Sequence, residues 1–309
     1  FYLIKWLTDW VREYGFDGYR VDTAKHFEEW VGPELKVEAE RAFSDWKAAN
    51  PDRVLDDLPF YMMGEVYNYS MTNGRLFDFG GGDVVDFFDY GYDGLINFDF
   101  SNRSDESLDE LFTRYSRALR DGELRGVSII NYSSSHDDDT PWDAARKYPF
   151  LAGWRLLLSP GGAQIYYGDE VARPLVVAGA RGDANLRSNM SWQAMEGPAY
   201  MAEILEHWQK LGRFRQDHPA VGAGEHQRLR VEPYIFSRTL EKDGYVIDRV
   251  IVALDLEAGP KTIMVYGLFP DGTELWDAYS GKAAVVTDGD ITLDTDYDLV
   301  LLSAEEVAR

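Results

Sequence analysis

The chain has 309 residues and no cysteine, which excludes disulfide bonds, thiolate metal sites and thiol catalysis. Its formal net charge is −23, and an acidic surface repels nucleic acids and anionic membranes, so we expect neither as a partner. A hydrophobic content of 45% is ordinary for a globular protein, and no apolar run approaches the roughly 20 residues of a membrane-spanning helix.

The first part of the chain predicts a helix, a strand and a second helix. Apolar residues recur at helical spacing from the start, at Tyr2, Leu3, Trp6, Leu7 and Trp10. Residues 15–22 form the first predicted strand. A helix follows from about Pro33 to Asn50, and its apolar stripe consists of Leu35, Ala39, Ala42, Phe43 and Trp46.

The alternation continues through the first two-thirds of the chain. Further strands are predicted at residues 60–66, 94–100, 126–132 and 163–167, and further helices at 107–119, 149–158 and 200–214. This order is typical of parallel βα units. The glycines at 80–82 lack the spacing of a phosphate-binding loop and are interpreted as a flexible turn within a long loop.

The composition changes from about Gln216. Residues 218–224 read as a linker, and short β-type runs separated by turn signals follow it. We therefore predict two domains, an α/β domain at residues 1–217 and a small all-β sandwich at residues 218–309.

Three predicted strands end in an acidic residue, namely Asp22, Glu65, and Asp137 after His136. Catalytic groups of (β/α)8 barrels lie at the carboxyl ends of several strands. Arg20 shares a strand face with Asp22, and a neighbouring guanidinium stabilises the ionised carboxylate that a covalent nucleophile needs. Taken alone, this pair is equally consistent with a structural ion pair.

The spacing of the strands limits the chemistry of the first two acids. Adjacent strands lie about 4.8 Å apart, so carboxyl groups on consecutive parallel strands are separated by a similar distance. Retaining glycosidases keep their two carboxyl groups roughly 5–5.5 Å apart, and inverting enzymes need about 6.5–9.5 Å. This favours double displacement, with Asp22 ionised as the nucleophile and Glu65 protonated as the general acid.

Several segments, in this order, resemble signature regions of the α-amylase family of retaining glycoside hydrolases. They read GFDGYRVDTAKH, MGEVY, LINFDF, SSHD, IYYGDE and DANLRSNMSW. The resemblance covers roughly residues 1–215 and implies the carboxy-terminal part of a TIM (β/α)8 barrel, about five βα units. The β-rich tail is similar to the family's carboxy-terminal domain.

The resemblance implies a role for each site residue. Asp22 would be the nucleophile, Glu65 the acid/base, and Asp137 a third acid that binds sugar hydroxyls. Arg20 would orient Asp22, and His136 would contact the same sugar as Asp137. Asp138 and Asp139 are interpreted as ordinary loop acids.

The Lys25-His26 pair is similar to that of α-amylases and cyclodextrin-forming relatives, where it contacts the leaving-group side of the substrate. The backbone carbonyl of His26 would match a ligand of the family's structural calcium, with most other ligands outside this chain. Ser135 stands where the family usually has an asparagine that binds chloride in chloride-activated members, so no chloride dependence is expected.

Five βα units cannot close an eight-stranded barrel, because two open edges would expose unpaired backbone. We expect the missing amino-terminal barrel segment to be supplied as a separate chain or to be a removed piece. A secreted or periplasmic location is expected.

The first functional hypothesis is an endo-acting α-amylase that cleaves α-1,4 bonds of starch and maltooligosaccharides. The second is an α-glucanotransferase with the same chemistry, although Val66-Tyr67 after Glu65 favours the α-amylase. The third is a non-catalytic glucan-binding homologue. Such relatives lose the catalytic acids, whereas all three acids are present here.

Overall fold

The computed structural model describes residues 1–102, 106–137, 140–192 and 199–304. The chain divides into two compact units. The first comprises Phe1–Phe100 and Asp121–Asn131, and the second comprises Ser101–Arg120 and Tyr132–Arg309. The domain boundary between residues 217 and 218 stays a prediction.

Helices and strands alternate through the first two-thirds of the chain, as predicted, and strands dominate the rest. The helices of the described residues are α1 (Tyr2–Tyr14), α2 (Val31–Ala49), α3 (Asp99–Asn102), α4 (Leu108–Arg120), α5 (Pro149–Leu157), α6 (Ala199–Asp217) and α7 (Ala220–Ala223). The strands before α6 are β1 (Gly18–Val21), β2 (Tyr61–Gly64), β3 (Leu76–Gly80), β4 (Asp83–Asp86), β5 (Gly94–Asn97), β6 (Ser128–Tyr132) and β7 (Gly162–Gln164). The strands after α7 are β8 (Glu225–Arg230), β9 (Tyr234–Lys242), β10 (Tyr245–Leu254), β11 (Gly259–Met264), β12 (Glu274–Asp277), β13 (Lys282–Val285), β14 (Asp290–Thr295) and β15 (Leu299–Ser303).

The first unit contains parallel strands in the order β1, β2, β5, β6. Val21 of β1 pairs with Gly64 of β2, and Asn97 of β5 pairs with Asn131 of β6. Each strand is shorter than its sequence predicts. At the amino end of β1 the reason is Gly15, which closes α1 in the left-handed conformation with φ 74° and so cannot begin a strand.

The predicted apolar residues are buried in α2 but exposed in α1. The predicted stripe of α2 is buried in full, namely Leu35, Ala39, Ala42, Phe43 and Trp46. In α1 the buried residues are Ile4, Thr8 and Val11. The stripe predicted for α1 is exposed instead, namely Tyr2, Leu3, Trp6, Leu7 and Trp10. An exposed apolar surface of this kind is typical of an interaction site.

The segment after β2 differs from the predicted loop. Strands β3 and β4 pair as an antiparallel hairpin, with Phe77 opposite Val85 and Asp78 opposite Val84. The glycines at 80–82 form its tip, where their φ angles of 93°, 69° and 90° suit glycine alone. The prediction of a turn was correct for the tip, and the prediction of a loop was wrong for the flanking strands.

In the second unit, α5 and α6 pack together and carry the all-β domain. Trp208 of α6 donates from its indole N–H to the carbonyl of Pro149, at 3.0 Å. The guanidinium of Arg215 donates to the carbonyls of Leu157 and Ser159, both at 2.9 Å. The predicted linker is packed rather than loose, because His218 is buried and lies 3.0 Å from a carboxylate oxygen of Asp248.

The carboxy-terminal strands form a six-stranded sheet, in the order β13, β12, β15, β10, β9, β8, and the pair β11–β14. Apolar side chains from both sheets form one core, which includes Ile235, Ile251, Ile263, Ile291, Leu293, Val300 and Leu302. Two sheets with a shared apolar core make a sandwich, as predicted. Within the described residues, no helix has the length and apolar character needed to cross a membrane.

His207 of α6 joins α5 to the all-β domain. Its Nε2 lies 3.0 Å from the carbonyl of Phe150 and its Nδ1 lies 2.6 Å from the hydroxyl of Tyr279. A carbonyl only accepts, so the neutral ring carries its proton on Nε2 and the tyrosine hydroxyl donates to Nδ1. Burial, together with the positive charge of Lys210, lowers the pKa of His207 to about 4.

Because of His207, we expect the free energy of unfolding to fall in acid. Between about pH 6.5 and pH 4 the unfolded chain binds a proton at His207 that the folded protein does not bind, so the free energy of unfolding falls as the pH is lowered. The shift corresponds to a loss of up to about 3 kcal/mol. Denaturant unfolding at pH 7 and pH 4.5 measures the loss, and we expect His207→Gln to reduce it. An identical pH dependence in this variant would contradict the prediction.

Candidate active site

Asp22 and Glu65 lie side by side at the carboxyl ends of β1 and β2. The Val21–Gly64 pairing continues past the strands, because the N–H of Glu65 donates to the carbonyl of Val21 at 2.8 Å. The N–H of Ala24 then donates to the carbonyl of Glu65, also at 2.8 Å. The backbone register therefore brings the first two predicted acids together.

The two carboxyl groups have different surroundings. The side chain of Asp22 is 61% exposed and accepts a 2.6 Å hydrogen bond from Nη1 of Arg20. Glu65 is buried, with 7% of its surface exposed. A charge-assisted bond from Arg20 thus holds the carboxylate of Asp22, which remains accessible from solvent.

Thr23 connects the two acids. Its backbone is left-handed, with φ 53° and ψ 36°, and its N–H donates to Oε2 of Glu65 at 2.7 Å. A β-branched residue seldom adopts this conformation, which is a mark of functional sites.

Replacing Thr23 with glycine tests the strain. A left-handed conformation costs an L-residue about 1–2 kcal/mol, and glycine removes this cost. The greater freedom of glycine in the unfolded chain offsets part of the stability gained. We expect Thr23→Gly to raise the free energy of unfolding by about 0.5–1 kcal/mol in a denaturant titration. The same replacement at Thr113, inside α4, is expected to lower it. Destabilisation at both positions would contradict the assignment of strain to Thr23.

Lys25 and His26 lie in a short 3₁₀ helix directly after Thr23. The ammonium of Lys25 donates to the carbonyl of Tyr67 at 3.0 Å, so it lies near the residues that follow Glu65. His26 is exposed, and its N–H donates to the carbonyl of Thr23 at 2.9 Å. The first unit thus brings Arg20, Asp22, Lys25 and His26 together beside the buried Glu65, at the carboxyl ends of β1 and β2.

The second unit holds His136 and Asp137 after β6. Nε2 of His136 lies 3.3 Å from Oδ2 of Asp137, and the N–H of Asp137 donates to Oγ of Ser135 at 3.3 Å. Arg187 donates from Nη2 to Oδ1 of Asp137 at 2.5 Å and from Nε to the carbonyl of His136 at 2.9 Å. Arg187 thus holds Asp137 by an ion pair, as Arg20 holds Asp22. Asp138 and Asp139 lie outside the described residues.

A buried ion pair supports the loop that carries Asp137. Oγ of Ser134 donates to Oδ1 of Asp169 at 2.6 Å, and Nη2 of Arg146 donates to the same oxygen at 2.5 Å. Ser134 and Asp169 are both buried. Truncation of one partner of such a pair typically costs several kcal/mol, because the other charge is left buried and unpaired.

Sequence reasoning missed Thr23, Arg187 and Asp169 as parts of the site. In the sequence Arg187 is only one member of a motif, and its position two residues after Asn185 gives no sign of its partner. Arg187 lies 50 positions from Asp137, so no local sequence signal could have found this contact.

A cleft of about 410 Å³ lies at the opposite ends of β1 and β2. Gly18 and Tyr61, the first residues of these strands, line it together with Asp17 and Trp46. In barrels this amino-terminal face contributes to stability, whereas chemistry occurs at the carboxyl ends. The cleft is therefore separate from the paired acids.

The described residues contain no group of three or more histidine, aspartate or glutamate side chains that could hold a metal ion. Calcium takes six to eight oxygen ligands. The backbone carbonyl of His26 could supply one of them, so these residues by themselves do not make a calcium site.

Comparison with known proteins agrees with the motifs. No family model matches the chain. A periplasmic α-amylase of Escherichia coli K12 is 39% identical over 231 residues, which make up 74% of this chain and 31% of that protein. The structure of the α-amylase of Geobacillus thermoleovorans with acarbose has a TM-score of 0.67 at 19% identity, over 98% of this chain and 63% of that chain. An Anoxybacillus α-amylase structure has a TM-score of 0.62 at 21% identity, over 99% of this chain and 63% of that chain.

These similarities relate the chain to the glycoside hydrolases. Among the glycoside hydrolases, the chain is related to the α-amylase family. The solved structures also confirm the predicted fold, a partial (β/α)8 barrel followed by an all-β domain. The chain spans 31% of the length of the curated relative and 63% of the length of the two solved chains.

Proposed function

We propose that the protein is a glycoside hydrolase, specifically a retaining, endo-acting α-amylase that cleaves α-1,4 bonds of starch and maltooligosaccharides. The observation that carries this proposal is the pair of carboxyl groups at the ends of β1 and β2, one held by a guanidinium and one by a backbone N–H. The relationship to the α-amylase family supports the choice of an α-glucan substrate.

The reaction proceeds in two displacements. Asp22 attacks the anomeric carbon and forms a covalent glycosyl ester, while Glu65 gives a proton to the departing sugar oxygen. Glu65 then takes a proton from water, which attacks the same carbon and releases Asp22. Two inversions leave the product with the configuration of the substrate.

The other residues bind and orient. Arg20 holds the carboxylate of Asp22 towards the substrate, and Lys25 and His26 bind the leaving-group side. Asp137 accepts hydrogen bonds from hydroxyls of the reacting sugar, which strengthen as the ring distorts. His136 contacts the same sugar.

We also propose a structural calcium ion, with the carbonyl of His26 as one ligand and the remaining ligands outside this chain. Oxygen ligation is what calcium prefers. A chelator would then lower the melting temperature of the complete protein, which can be measured independently of activity.

A further barrel segment is proposed as a partner, joined to this chain or separate from it. It would cover the exposed apolar face of α1, including Trp6 and Trp10, and continue the sheet beyond β1. Burial of this face would stabilise the complex by about 25 cal/mol for each Å² of apolar surface. A periplasmic or secreted location is proposed from the periplasmic relative.

The test is to incubate the complete protein with maltoheptaose and follow the products by anomer-resolved NMR and chromatography. We expect shorter maltooligosaccharides whose first-formed ends are in the α configuration. First products in the β configuration would overturn the retaining mechanism. Products longer than the substrate would identify the protein as a glucanotransferase, and binding without any product would identify a non-catalytic homologue.

A further inference from the structure

The β3–β4 hairpin carries aromatic side chains on one face. The rings of Phe77 and Phe79 meet edge to face, with centroids 5.0 Å apart. Both pack against Phe87, at 6.2 and 6.3 Å, and Phe87 is buried. Phe79 remains 44% exposed, so its ring packs against Phe77 and Phe87 and is also accessible to solvent.

A bulge lies at Phe79 in the β3–β4 hairpin. The pairing of β3 with β4 shifts between Asp78 and Gly80, and the N–H of Gly80 donates to Oδ1 of Asp78 at 2.6 Å. Bulges commonly redirect a side chain beside an active site. Here the bulged residue is Phe79, which is left out of the residue-to-residue pairing of β3 with β4.

Lys25 connects this hairpin to the paired acids. Its ammonium lies 5.1 Å from the centre of the Phe77 ring and 5.3 Å from the centre of the Tyr67 ring. Tyr67 is exposed and stands two residues after Glu65. The three rings therefore border a surface that begins beside Glu65 and extends along the hairpin.

We propose that Phe77 and Phe79, together with Tyr67, form a stacking surface for glucose rings of the substrate chain beside Glu65. This inference rests on the proposed function. The C–H face of a glucose ring is apolar and flat, and it loses water when it packs on an aromatic ring. A neutral glucan also avoids the repulsion that an acidic protein exerts on anionic ligands.

The surface would set the preference for chain length. A substrate long enough to reach from Glu65 to Phe79 gains the stacking contact, and a short substrate does not. The contact would act mainly on KM, because ground state and transition state share it.

The test compares Phe79→Ala with the parent in the complete protein. On maltoheptaose we expect a roughly tenfold rise in KM with little change in kcat, as for loss of one aromatic contact. On 4-nitrophenyl α-maltoside the two proteins should agree within about twofold. Phe79→Tyr keeps a ring and should restore the parent KM.

Val84→Ser is the matched control, since Val84 lies on the same hairpin, is 50% exposed and pairs with Asp78 on the opposite face. It should leave KM and kcat unchanged on both maltoheptaose and 4-nitrophenyl α-maltoside. Equal losses on the long and short substrates, an equal effect of Val84→Ser, or no effect of Phe79→Ala would each refute the stacking surface. An inactive parent would instead refute the proposed function, and calorimetric titration with maltoheptaose would then decide the stacking surface by whether Phe79→Ala weakens binding.

Discussion

Replacement of Asp22 by asparagine is expected to lower kcat on maltooligosaccharides by roughly 10⁴-fold or more, since an amide cannot form the glycosyl ester. KM should change little, because the amide occupies nearly the same space as the carboxylate. The side chain is exposed and its ion pair with Arg20 lies at the surface, so folding should be retained. Initial rates and circular dichroism of the purified protein measure both effects.

Asp17→Asn provides the control for this variant. Asp17 lies in the same segment, but it lines the cleft at the amino ends of the strands. It should keep full activity. Comparable activity of the two variants would remove Asp22 from the mechanism.

Replacement of Glu65 by glutamine is expected to show a dependence on the leaving group. A sugar oxygen must be protonated as it departs, and loss of a general acid costs about 10²–10⁴-fold. Fluoride departs without that proton, so glycosyl transfer from α-maltosyl fluoride to Asp22 should be largely preserved. Release of the ester then needs a base, and azide, which needs none, should accelerate it.

Glu38→Gln is the matched control, because Glu38 lies on α2 in an ion pair with Arg41 and should not affect either substrate. If Glu65→Gln lowers the rates on a maltooligosaccharide and on α-maltosyl fluoride equally, and azide has no effect, Glu65 does not act as the acid/base.

The paired acids could be predicted from sequence because the signal is local. An apolar run that ends in Asp22 or Glu65 places each acid at a strand end, and parallel neighbours place the strand ends together. The structure adds the register, in which Val21 faces Gly64. The predicted strands were too long, because apolar residues continue beyond the hydrogen-bonded ladder.

Other parts of the site depend on contacts that no local pattern contains. Arg187 reaches Asp137 across 50 positions of sequence. The left-handed backbone of Thr23 contradicts the preference of a β-branched residue and is imposed by its surroundings. The β3–β4 hairpin was taken for a loop because three glycines dominate its centre, although Phe77 and Phe79 alternate as in a strand.

The most direct test of the account is to trap the intermediate. Complete protein with Glu65→Gln is incubated with α-maltotriosyl fluoride, digested, and analysed by mass spectrometry. We expect the peptide that contains Asp22 to gain the mass of one maltotriosyl group, and we expect this gain to disappear in the double variant with Asp22→Asn. An adduct on another residue, or turnover of the fluoride with inversion and no adduct, would contradict it.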